Sequence, residues 1–177
     1  RPLSPYGFAI KTGHVDRYNM ERWLDFYKAA LDYIIEVNKK GYRLVEFYTT
    51  LFITNLYSPF GGSYVDLQSP AGAGLAAITY NYDGKVYCGD EARMLAETGE
   101  FFFQMGDLHT NSYEEIFMNE NFHELIDTTV SESLPQCSDC AYLPYCGTDP
   151  LYHFATQRDL VGHKAFSSFC QKNMGIF

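Results

Sequence analysis

Four of the five cysteines in this chain fall in its last quarter, as C-S-D-C-A-Y-L-P-Y-C from Cys137 to Cys146 and then, after 23 further residues, Cys170. Two thiols three positions apart in a loop bend readily round one centre. Cys146 approaches as a third ligand and Cys170 closes the set from a distance. Four sulfurs in this arrangement suit a tetrahedral ion or one corner each of an iron–sulfur cube. Two plainer readings compete: buried thiols packing as small hydrophobes, or disulfides. The C-x-x-C lies in a polar, Pro-flanked segment without helix or strand period, which argues against simple core packing. An odd cysteine count and the lack of an apolar leader with a small-residue cleavage site argue against disulfides. A metal centre at Cys137, Cys140, Cys146 and Cys170 is therefore expected. Spacing alone leaves zinc and iron–sulfur open, although a zinc ribbon more often pairs two C-x-x-C knuckles and the second is absent here.

The segments upstream show more regular patterning. From about Tyr18 to Lys40, Met20, Trp23, Leu24, Tyr27, Leu31, Ile34 and Ile35 recur at helical spacing, predicting a long amphipathic helix that serves as core architecture. Asp16 or Asn19 is placed to cap its start, and Lys39, Lys40 and Gly41 to end it. The apolar stretch Val45 to Leu56 reads as a helix, although its aromatic and β-branched content also suits a strand. Pro59-Phe-Gly-Gly breaks the chain, and Ser69 to Gly74 follows as a permissive loop without the Lys and Ser/Thr of a phosphate loop. A boundary near Ser69 would divide residues 1–68 from 69–177. Leu75 to Tyr80 and Lys85 to Tyr87 flank an Asp83-Gly84 turn and predict a hairpin. Asp90 to Ala96 predicts a short helix and Phe101 to Met105 a short strand. Ser112 to Glu115 is a capping box, Asn121 to Val130 a further helix, and Asp149-Pro150 a cap and first residue of a helix toward Arg158. Pieces this short need a staple, which the cysteine centre would provide.

Fifteen Tyr and fourteen Phe suit packing round a cofactor or a peptide groove as well as ordinary core use. A net charge of −9 with a pI near 4.9 argues against nucleic acid or an anionic membrane as partner. No apolar run approaches the roughly 20 residues that span a bilayer, and reduced thiols point to the cytoplasm.

The cysteine pattern, preceded by the D-G-K-V-Y-C turn at Asp83 to Cys88, resembles the SPASM domain at the C-terminus of radical S-adenosylmethionine enzymes that modify peptides. Y-V-D-L-Q-S-P-A-G-A-G (Tyr64 to Gly74), Y-N-Y-D-G-K-V-Y (Tyr80 to Tyr87), D-E-A-R-M-L (Asp90 to Leu95) and G-H-K-A-F-S-S-F-C (Gly162 to Cys170) resemble the radical SAM maturase of His-Xaa-Ser peptide systems. The resemblance implies an α+β chain: the end of a partial α/β barrel over 1–68, then a SPASM-like domain over 69–177 with a hairpin, short helices and a Cys-rich metal-binding region. It implies one auxiliary [4Fe–4S] cluster on Cys137, Cys140, Cys146 and Cys170. A first auxiliary cluster is not expected, because Ser69 to Gly74 has no Cys, Cys88 stands alone, and Pro150 occupies the last ligand position. The C-x3-C-x2-C loop that holds the catalytic cluster is also absent. The chain is thus expected to be the C-terminal part of a longer enzyme, inactive alone. Its partners would be an N-terminal radical SAM region and a ribosomally made precursor peptide, with S-adenosylmethionine bound only by the full enzyme. The competing reading is a zinc-stapled four-cysteine binding module without redox chemistry.

His14, His109, His123, His153 and His163 are scattered and read as surface or capping residues; His153 and His163, lying between Cys146 and Cys170, are the two placed for a supporting role near a centre. Glu114 and Glu115 have a structural account in helix capping, so general acid–base catalysis is not expected.

Overall fold

A computed structural model describes residues 2–13, 19–60, 62 and 64–177. Asp16, Tyr18, His14 and one glycine of the Pro59 turn lie outside the described residues. The elements are helices α1 (Phe8–Lys11), α2 (Met20–Lys39) and α3 (Phe47–Tyr57), strands β1 (Thr79–Tyr80) and β2 (Lys85–Tyr87), helix α4 (Asp90–Ala96), strand β3 (Gln104–Asp107), and helices α5 (Tyr113–Phe117), α6 (Glu120–Asp127), α7 (Pro150–Gln157) and α8 (Ser168–Ile176). Short 3-10 turns at Ser131–Ser133, Leu143–Tyr145 and Lys164–Phe166 punctuate the cysteine region.

Local chemistry accounts for most of these boundaries. The side chain of Asn19 accepts from Arg22 N at 2.9 Å and starts α2. Ser112 and Glu115 form the reciprocal capping box of α5. Asp149 caps α7 through Tyr152 N at 2.9 Å, with Pro150 in the first turn. The three strands form one antiparallel sheet in the order β1-β2-β3. Its hairpin turns at Gly84, whose φ of +82° suits glycine. The first strand is shorter than its sequence suggests, because the chain from Ala73 to Ala77 bends back on itself through bonds to Gly72 O.

Two elements are displaced from expectation. The strand expected over Phe101 to Met105 begins three residues later: Phe101 starts a turn closed by Gln104 N, and Phe103 instead turns into the core. Helix α8 was not expected and carries Cys170.

Before residue 69 the described residues hold helices and no strand. Residues 42–46 are irregular, tied by Asn38, whose amide bonds Leu44 N and O at 2.8 Å each, and by Glu46, which accepts from Tyr27 Oη and caps α3 through Thr49 N. A barrel strand needs a neighbour, and none is present among the described residues, so the expected end of a partial barrel over 1–68 is not seen there; helices stand in its place. Helix α2 packs against α8 with the expected face inward, but only Met20 is fully buried and Ile35 is exposed. Phe26, Tyr33, Val45, Phe47, Tyr57 and Phe60 are also exposed.

The main core lies in the second part. Val86, Cys88, Ala92, Leu95, Met105 and Leu125 pack at its centre, drawn from β2 and the residue after it, α4, β3 and α6. The buried side chain of Asn55 ties α3 to this part: it donates to Leu67 O at 3.0 Å and Tyr145 O at 3.2 Å, and accepts from Gly62 N at 2.5 Å.

Candidate metal centre

Cys137, Cys140, Cys146 and Cys170 line one cavity, and all five thiols of the chain are free. A tight turn presents the first pair: Cys137 N donates to Leu134 O and Cys140 N to Cys137 O. Cys146 follows the 3-10 turn Leu143–Tyr145. It is held in place by its neighbour Gly147, where an added Cβ would stand 2.6 Å from Gln68 O and 2.8 Å from Asp66 O; only a residue without a side chain fits against that backbone. Asn173 Nδ2 donates to Cys146 Sγ at 3.4 Å. Cys170 lies in the first turn of α8, where its N–H donates to the Ser167 cap at 3.3 Å.

Burial raises the thiol pKa values of Cys137 and Cys146 and pushes Cys170 up to about 11, while the Lys164 ammonium counteracts this at Cys137 and Cys170. Among the described residues no group of three or more His, Cys, Asp or Glu is placed to hold a metal ion as the side chains stand. The four thiols share one cavity wall.

The polar part of that wall was not legible in the sequence, apart from His153. Ser131 and Thr148 line the cavity, and their hydroxyls are buried without a hydrogen-bond partner. Buried hydroxyls are rarely left so, and these two can donate to sulfur or to an anion in the cavity. Lys164 is buried with its ammonium donating to Val161 O and standing 3.5 Å from His153 Nδ1. With Nδ1 accepting, the proton of His153 sits on Nε2, 3.1 Å from Ser167 Oγ. Burial and the Lys164 charge depress the His153 pKa to about 4, so the imidazole is neutral. His153 thus joins Lys164 to the cap of the helix that carries Cys170. His163 does not line the cavity.

Cys88 is elsewhere. It is 1% exposed in the main core and burial pushes its thiol up to about 12. It lines two cavities, one among Phe103, Met105, Phe122 and Leu125 and one shared with Asp66, Glu91 and Asp149. Tyr6 Oη donates to Asp149 Oδ2 at 3.3 Å. Burial and the neighbouring Asp66 and Glu91 raise the Asp149 pKa to about 7, against the bond from Tyr152 N and the Lys172 charge.

These observations define an α+β chain with a small sheet-and-helix core and a cavity lined by four thiols. No protein-family model matches the sequence, and no curated protein does so. Solved structures do. Native anSMEcpe with bound AdoMet, an anaerobic sulfatase-maturating radical SAM enzyme, matches with a TM-score of 0.65 and 17% identity over 90% of this chain and 40% of that one. The same enzyme with bound AdoMet and Cp18Cys peptide gives the same values, and with Kp18Cys peptide a TM-score of 0.60 at 16% identity. At this identity the likeness shows the fold, and the chain spans about two fifths of those relatives' length.

Proposed function

We propose that this chain is the C-terminal auxiliary-cluster region of a radical SAM enzyme that modifies a ribosomally made peptide, with residues 69–177 as its SPASM-like domain. The observation that carries the reading is the four-thiol cavity in a fold shared with a peptide-bound radical SAM enzyme. A single zinc ion needs its thiolate sulfurs about 2.3 Å from one point, whereas a cube takes each thiolate at a separate corner. Four thiols lining one cavity of a fold shared with a radical SAM enzyme favour the cube. Cys137, Cys140, Cys146 and Cys170 would hold one [4Fe–4S] cluster, and Ser131 and Thr148 have hydroxyls free to donate to it. When bound, such a cluster supplies a one-electron acceptor for an oxidation of substrate. The chain's own part is to fix the thiols, seal the site with Tyr142, Phe169 and Phe177, and present the exposed apolar residues of α2 and α3 to the radical SAM region. The His-Xaa-Ser type of precursor is the substrate class we favour, on the sequence strings from Tyr64 to Cys170. The reduced thiols that such a cluster needs favour a cytoplasmic location; no helix among the described residues is long and apolar enough to cross a membrane.

Anaerobic reconstitution tests the assignment. About four irons and four sulfides per chain are expected, with Cys170→Ala losing stable iron and becoming protease-sensitive after Leu134. One zinc per chain with no iron–sulfur absorbance, or full iron in Cys170→Ala, would overturn it.

A further inference from the structure

Lys164 is the one Lys or Arg among the described residues lining the four-thiol cavity. It is 6% exposed, and none of the ion pairs among the described residues includes it. An ammonium carries three donors. Two are accounted for by Val161 O and His153 Nδ1, and the third has no protein acceptor among the described hydrogen bonds. A buried cation without an anionic partner costs several kcal/mol. The groups whose negative charge would offset it are Cys137, Cys170, Asp159 and Cys146, in falling order of influence; Asp159 is exposed to solvent, with its Oδ1 accepting from Val161 N and Gly162 N. Three of the four are thiols. Lys164 is held there firmly: its backbone N–H donates to Gln136 Oε1 at 2.8 Å, beside Cys137.

We propose that Lys164 is the charge partner of the four-thiol site, its fixed ammonium raising the reduction potential of a thiolate-bound cluster there. The inference rests on the cluster reading above. Four thiolates give the site net negative charge, reduction adds one more electron, and a nearby cation favours the reduced form more than the oxidised one. His153 is a positioning residue in this scheme: neutral, it accepts from the ammonium without competing for the charge, and through Ser167 it fixes the ammonium relative to Cys170.

The test is a dithionite titration of the reconstituted chain, followed by the electron paramagnetic resonance signal of the reduced cluster, in wild type, Lys164→Gln, Lys164→Met and Lys164→Arg. Glutamine keeps a donor for Val161 O, and methionine keeps volume, so one neutral variant serves if the other fails to fold. The neutral variants are expected to have at least a tenfold smaller reduced-to-oxidised ratio at fixed potential, a midpoint lower by about 59 mV or more. Lys164→Arg should stay close to wild type. Loss of iron from both neutral variants, with retention in folded Lys164→Arg, also supports the inference. Unchanged midpoints at equal iron content overturn it while leaving the cluster reading intact. So does a fall, or a loss of iron, in Lys164→Arg as large as in the neutral variants, which would make shape rather than charge the requirement. A wild-type chain that assembles no iron and sulfide removes both readings.

Discussion

Asp149→Asn should stabilise the protein, and by an amount that grows with pH. The carboxyl of Asp149 is enclosed with Asp66 and Glu91, faces Tyr6 and Lys172, and has its pKa raised to about 7. An unfolded Asp titrates near pH 3.9. Between these values the folded state holds a proton that the unfolded state has lost, so stability falls as pH rises, by about 1.4 kcal/mol per unit, and levels off above pH 7. From pH 5 to pH 8 the loss is about 2–3 kcal/mol. Asparagine caps a helix as well as aspartate does and offers the same acceptor to Tyr152 N, so it keeps the structural role and removes the titration. Urea unfolding of both proteins at pH 5, 6, 7 and 8, with matched metal content, gives the comparison; slopes from groups remote from Asp149 cancel in the difference. The variant's advantage should widen by about 2–3 kcal/mol across that range. A constant difference, or a less stable variant at pH 8, would refute the account of this buried acid.

Two further substitutions probe the surroundings of the cavity. Gly147→Ala forces a Cβ to within 2.6 Å of Gln68 O; it should cost about 1–3 kcal/mol in chemical denaturation and speed iron loss to a chelator, and a neutral result would mean that Cys146 is not pinned by this contact. Cys88→Ser should leave the iron content unchanged, and in the folded wild type Cys88, with its thiol pushed up to about 12, should escape iodoacetamide at pH 8; loss of the cluster or ready alkylation would place it nearer the site than the core packing shows.

The elements that could be read from sequence are those whose signals are local. A Ser-x-x-Glu box, an Asp-Pro cap and an Asp-Gly turn each satisfy backbone groups within four residues, so α5, α7 and the hairpin follow from composition and order alone. That the four cysteines come together at one cavity was foreshadowed by their clustering and spacing in the sequence. Helix α8 was not legible: S-F-C-Q-K-N-M-G-I has no repeating apolar face, and it is held by a Ser cap and by tertiary contact with α2. The role of α2 was read correctly in direction and too strongly in degree, because periodicity reveals which face is apolar but not what covers it. Lys164, Ser131 and Thr148 carry no sequence signal. They lie in turns and loops, and only the folded chain brings their side chains to the thiols.

Asn55 has a bearing on how this protein can be cut and joined. Its one side chain fastens α3 to Leu67, Gly62 and, across 90 positions of sequence, to the carbonyl just before Cys146. Gly147 presses against the backbone of Asp66 and Gln68, on either side of Leu67. A transplant that begins at residue 69 would leave Tyr145 O without its donor and strip the backing from Cys146, while one that begins ahead of Phe47 would carry the whole brace. Chimaeras built to exchange this region should therefore be joined upstream of α3.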